Sequence, residues 1–121
     1  MDGKRGHQET EMTHKEIYEA LLETDLPVTF QFWESPDNIP SLPYIVFTYP
    51  RSNDYMADNT NYVEITELEV GLYTKRKSIA VERSVEAVLK QHFNPYFKTS
   101  DYVPADSMHE TLYTMEVAIN G

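Results

Sequence analysis

Between Pro43 and Pro50 run Tyr44, Ile45, Val46, Phe47, Thr48 and Tyr49, an unbroken series of aromatic and β-branched residues. Such side chains lose freedom in a helix and fit a pleated, half-buried surface. Proline is tolerated at the ends of a strand, where no ladder donor is required, and excluded from its middle. The segment is therefore a strand with both limits set: Pro43 opens it, Pro50 closes it, and Ile45, Phe47 and Tyr49 share one face. The rest of the chain has to supply a sheet around this strand and a layer to cover that face.

Upstream, Thr13-His14-Lys15-Glu16 has the spacing of a capping box. It predicts a helix over about Thr13–Thr24, with Ile17, Ala20, Leu21 and Thr24 on one face and Tyr18 and Leu22 beside it. Asp25-Leu26-Pro27 ends it. Val28, Phe30 and Phe32 alternate with Thr29, Gln31 and Trp33, predicting a strand with one buried aromatic face. Pro36 and Pro40 make Glu34–Leu42 a loop.

Downstream, Arg51–Thr60 is a polar turn region carrying two exposed apolar residues, Tyr55 and Met56. Asn61–Thr74 is a long strand whose alternation changes phase. Val63 and Ile65 are odd-numbered; Leu68, Val70 and Leu72 are even. This predicts a bulge near Thr66-Glu67, or a first half that leaves the sheet as a hairpin against another subunit. Ser78 caps a second helix with an apolar stripe of Val81, Val85, Val88 and Leu89 and with His92 at its end. Asn94-Pro95 stops it. Two last strands follow, Tyr96–Val103 and Glu110–Asn120, joined by Pro104-Ala105-Asp106-Ser107. In the second of these Tyr113, Met115, Val117 and Ile119 form the buried side. The order α-β-β-β-α-β-β gives an α+β fold, a mainly antiparallel sheet with two helices on one face.

At 121 residues this is one domain. Residues 1–11, polar and without periodicity, are expected to be a disordered leader, and 12–121 the single folded domain. Twenty acidic against ten basic residues leave a formal charge of −10, which repels phosphate and argues against sequence-independent nucleic-acid binding. DNA passing an acidic wall would slide without sticking. Nine tyrosines suit half-buried sheets and protein interfaces. No cysteine is present, so neither disulfides nor thiol chemistry enter. No apolar run is long enough to span a membrane and no signal core is visible, so a protein soluble and intracellular at synthesis is expected.

Catalytic groupings are absent from the sequence. It holds no phosphate-binding glycine loop, no nucleophile elbow and no metal-spaced histidines. His92 suits the helix dipole at a C-terminus, and His109 precedes the last strand, exposed. Glu64, Glu67 and Glu69 lie in one strand, and Glu67 and Glu69 share a face, but no third ligand stands beside them. They read as a solvated or lumen-facing surface. Lys75, Arg76 and Lys77, the basic cluster, read first as a solvated loop before a helix; because cations are electrostatically unhelpful at a helix N-terminus, docking against an acidic neighbour or contact with DNA is the functional alternative. No enzyme activity, metal or cofactor is expected.

The element order, the start Met-Thr-His-Lys-Glu-Ile-Tyr-Glu-Ala-Leu, the strand Leu-Pro-Tyr-Ile-Val-Phe and the run Val-Glu-Ile-Thr-Glu-Leu-Glu-Val-Gly-Leu-Tyr-Thr-Lys entering the second helix resemble the tail terminator (tail completion) proteins of long-tailed bacteriophages. The resemblance covers about Met12 to Ile119. It implies a non-enzymatic virion protein without cofactor that assembles as a hexameric ring, from a monomer before docking or already as a hexamer. Its partners would be further copies of itself, the tail tube protein and a head-completion or neck protein. It would end tail growth, join the head, and let DNA pass. The protein would reside in the host cytoplasm during assembly and then in the virion. On that reading Asn53, Asp54, Tyr55 and Met56 form a loop tip reaching a neighbour or the tube. Glu64, Glu67 and Glu69 line the hole or pair with Lys75, Arg76 and Lys77 of the next subunit. Six copies would carry a formal charge of about −60, so assembly should depend on ionic strength. The alternatives are another neck or head–tail joining protein, and an acidic DNA-mimic inhibitor. For a mimic, carboxylates should follow one face like phosphates, whereas here acids and aromatics interleave.

Overall fold

The structure, a computed structural model, describes residues 11–50, 64–93 and 95–119. The capping box forms as the sequence dictates. Thr13 accepts from the Glu16 amide, the Glu16 carboxylate accepts from the Thr13 amide at 3.0 Å, and helix α1 follows over His14–Leu22. It buries Ile17, Ala20 and Leu21. Helix α2, Ile79–His92, is capped by Ser78, whose hydroxyl accepts from the Val81 amide, and buries Val85, Val88 and Leu89. The helix C-termini are tied by His92 Nε2 and Glu23 Oε1, 2.9 Å apart.

Six strands form one sheet: β1 (Glu11–Met12), β2 (Val28–Phe30), β3 (Tyr44–Thr48), β4 (Glu64–Thr74), β5 (Phe97–Val103) and β6 (Met108–Ile119). β6 is its axis. β4 runs antiparallel along one side of β6, from Glu64↔Ile119 to Thr74↔His109. On the other side β5 lies antiparallel to 108–114 and β1 parallel to Ala118–Ile119. β3 continues the sheet antiparallel to β4, and β2 closes it parallel to β3. The sheet is thus mixed, with antiparallel pairs dominant, and the α+β fold holds.

Alternation decides the faces. Ile45, Phe47, Leu68, Val70, Leu72, Tyr113, Met115 and Val117 point to one side, and both helices complete the core there. At its β2 end, His14 and Tyr18 of α1 meet Phe30, Phe47 and Tyr49, with His14 Nδ1 2.8 Å from the Tyr49 hydroxyl.

Four expectations are corrected. Glu11, assigned to the leader, belongs to a strand, paired with Ala118. β2 ends at Phe30 because Gln31 takes a positive φ of 70°, leaving Phe32 exposed rather than buried. β4 carries no bulge near Thr66-Glu67, its register being continuous from 64 to 74. Ile65 faces out, half exposed, as apolar residues are free to do. β6 begins at Met108, so His109 is a half-buried strand residue whose Nε2 is shielded from solvent.

Candidate functional site

Because the helices cover one face, every second residue of the sheet is left on the other. Residues sharing a strand face recur at i, i+2, and register across strands sets their neighbours. The outer set comprises Val46 and Thr48 of β3, Glu67, Glu69 and Tyr73 of β4, Glu110, Leu112, Thr114 and Glu116 of β6, and Asp101 of β5. Glu67 lies directly opposite Glu116, and Tyr73 opposite Glu110.

The carboxylates crowd one another. Burial, then the charges of Glu110 and Glu67, push the Glu69 carboxyl above the usual carboxylate range. The Tyr73 hydroxyl donates to Glu110 Oε2 at 2.9 Å, and burial followed by that bond raises its own titration. The Tyr73 ring stands 5.7 Å from that of Tyr44 and leans over Gly71, where a Cβ would come within 3.0 Å of it. Gly71 is the bare backbone that lets the ring lie down. The result is a face rich in carboxylates, interrupted by Thr, Leu and Val.

Lys75, Arg76 and Lys77 follow β4 and lead into α2. Lys77 turns inward, its ammonium 3.0 Å from Glu82 Oε2 and 3.5 Å from Ser100 Oγ. Lys75 and Arg76 stay exposed and border a cleft of about 350 Å³ lined also by Leu42, Pro43, Thr74, Ser78 and Val81. The Leu42–Pro43 peptide there is cis.

Glu82 is the charge that sequence reasoning missed. At 2% exposure it lies under α2, bound by Lys77 and by Lys98 of β5 (Nζ to Oε1, 2.9 Å). Lys98 also holds Glu86 Oε2 at 2.7 Å, and the Tyr113 hydroxyl donates to the same oxygen at 2.8 Å. Burial alone would raise both carboxyls. Hydrogen bonds from Lys98, with Lys77 on Glu82 and Tyr113 on Glu86, outweigh it and hold them below the usual range.

Of the residues singled out in the sequence, Glu67 and Glu69 come together on the outer face. Glu64 has the other parity in β4, opposite Ile119, and register separates it from them. Glu110 and Glu116, unremarked in the sequence, complete the acidic face. Their signal was the even parity they share against Tyr113, Met115 and Val117. Asn53, Asp54, Tyr55 and Met56 lie outside the described residues. Among the described residues no group of three His, Asp or Glu could hold a metal, and no helix is long and apolar enough to cross a membrane.

The sequence matches no protein-family profile and no curated protein. Among solved structures, a chain in the virion of a native gene transfer agent particle superposes with a TM-score of 0.49 at 11% identity, over 84% of each chain.

Proposed function

We propose that this chain is a virion structural protein of the tail-terminator kind: a subunit that closes into a ring on the end of a phage tail tube, stops its growth and offers the head a surface to join. The observation that carries the reading is the two-sided sheet. One face is sealed by both helices, and the other presents Glu67, Glu69, Glu110 and Glu116 to the outside. A face rich in carboxylates suits the wall of a passage for DNA, since it repels phosphate. The sequence resemblance, over about Met12 to Ile119, supports the same assignment.

Lys75 and Arg76 supply the opposite charge at one end of the domain, available to a carboxylate of the adjoining subunit. Contacts of that head-to-tail kind are what a closed ring requires. A subunit with a formal charge of −10 assembles against its own repulsion, so salt should favour the ring until it screens the docking pairs as well.

The test is addition of the protein to growing tail tubes, viewed by electron microscopy, with native mass spectrometry across salt concentration. Tubes of uniform length bearing a ring at one end, and a hexamer in solution or on the tube, are expected. Tubes that grow unchecked, with no bound protein, would refute the assignment. Capture of a DNA-processing enzyme instead would favour the acidic mimic.

A further inference from the structure

β5, Phe97–Val103, pairs with β6 along one side, and among the described residues no strand lies along its other side. Edge strands are normally guarded by proline, a bulge or an outward lysine. β5 has neither proline nor bulge; its charged residues are the exposed Asp101 and Lys98. Its register runs unbroken from Phe97↔Thr114 to Val103↔Met108, and no proline interrupts it. Its lysine, Lys98, is drawn under the sheet onto Glu82 and Glu86. All but Val103 are exposed, Phe97 at 81% and Tyr102 at 55%.

We propose that this edge is a self-pairing surface: two copies join their β5 strands antiparallel about a two-fold axis midway between their Ser100 residues, making one continuous sheet. The register follows from the side chains. A two-fold normal to the sheet preserves its faces, so only residues of equal parity oppose one another and the axis lies midway between one residue and its own copy. An axis at Asp101 would set two aspartates face to face, which is destabilising. An axis at Thr99 would set Phe97 against Asp101. With the axis at Ser100, Phe97 opposes Val103, Lys98 opposes Tyr102, Thr99 opposes Asp101, and the whole strand is paired. No like charges stand directly opposite, and the exposed Phe97 ring is covered by an apolar partner. The occupant is therefore a second copy. Such a contact is isologous and saturates at two. It goes beyond the ring reading and does not depend on it.

The chain has no cysteine, so single introduced cysteines report the contact. Ser100→Cys places two thiols on residues about 4.5–5.5 Å apart at Cα, within disulfide reach. It should give a disulfide-linked dimer under mild oxidation. Phe97→Cys and Val103→Cys each lie about 20 Å from their own copy. Neither should cross-link alone, whereas a mixture should give heterodimers. In sedimentation equilibrium the unmodified chain should dimerise, and Phe97→Asp, setting a charge against Val103, should weaken the dimer at least about tenfold. A folded Ser100→Cys variant that stays uncross-linked would overturn the proposal, as would a mixture without heterodimers. Hexamers without the Ser100→Cys cross-link would overturn this contact and spare the ring. Cross-linked dimers that never go on to hexamers or bind tubes would do the reverse.

Discussion

Replacing Lys98 with Met removes the ammonium that joins α2 to the sheet while keeping a stem of similar length over the Tyr113 ring. In the native protein that ammonium lies 2.9 Å from Glu82 and 2.7 Å from Glu86. The Glu82 side chain is 3% exposed and that of Lys98 is 36% exposed. Stripping one partner from a fully buried pair costs about 3–5 kcal/mol, chiefly because the other charge is left desolvated. Lys98 is partly solvated and Lys77 stays on Glu82, so about 2 kcal/mol is expected here. For a domain of this size that lowers Tm by roughly 10 °C. Urea unfolding followed by tryptophan fluorescence and circular dichroism measures it, and Glu82→Gln in the same background isolates the coupling. The pH dependence fixes the cause. Both carboxyls are held below their ordinary values, so their stabilisation is complete above the unfolded-state pKa and is lost as pH falls through the lowered one. The gap between wild type and Lys98→Met should therefore close in acid. A variant within about 0.5 kcal/mol of wild type at neutral pH, or a gap that does not narrow in acid, would refute the reasoning.

On the outer face the sign reverses. Glu69 has a raised pKa, so its ionised form penalises the fold at neutral pH, and the penalty lifts as pH falls through the raised value. Glu69→Gln should stabilise by about 0.5 kcal/mol at low salt, shrinking at high salt, read from urea midpoints; a loss of stability would count against the repulsion. Gly71→Val should cost about 1–2 kcal/mol by pushing the Tyr73 ring off its backbone bed and away from Glu110. The cost should fall when Tyr73→Ala is already present, a non-additivity that thermal melts can measure. Tyr49, whose hydroxyl burial pushes up to about 12, and Tyr73 and Tyr113, raised further, should ionise only as the fold opens. An alkaline phenolate titration that coincides with loss of near-ultraviolet dichroism is expected, since raised phenol pKa values withdraw stability as pH climbs past the unfolded value.

What the sequence disclosed was local. The capping box at Thr13, the proline-bracketed strand at Pro43 and the alternation from Tyr113 to Ile119 each write their own element, because each signal lies within a few residues. Pairing does not. That β2 lies parallel to β3, and that Glu11 and Met12 reach the far end of β6, are decided by residues remote in sequence. Ile65 suggested a bulge only on the assumption that apolar residues point inward. Glu82 looked like any solvated helix residue, since nothing near it announces that Lys77 and Lys98 converge there. The acidic face was half visible: Glu67 and Glu69 share a strand, but Glu110 and Glu116 join them only through register.

β6 is the axis of the sheet and also the last of its strands to be synthesised. While the ribosome is still adding residues 108–119, β1 and β5 have no partner, and β4 can pair only with β3. The core residues Tyr113, Met115 and Val117 are among those not yet made. Folding of this domain therefore waits for β6, whose pairings with β4 and β1 are distant in sequence and form slowly. Without β6 the two amphipathic helices have no complete sheet to cover. Exposed apolar surface of that kind invites aggregation and proteolysis, so completing the sheet is the step that protects the chain.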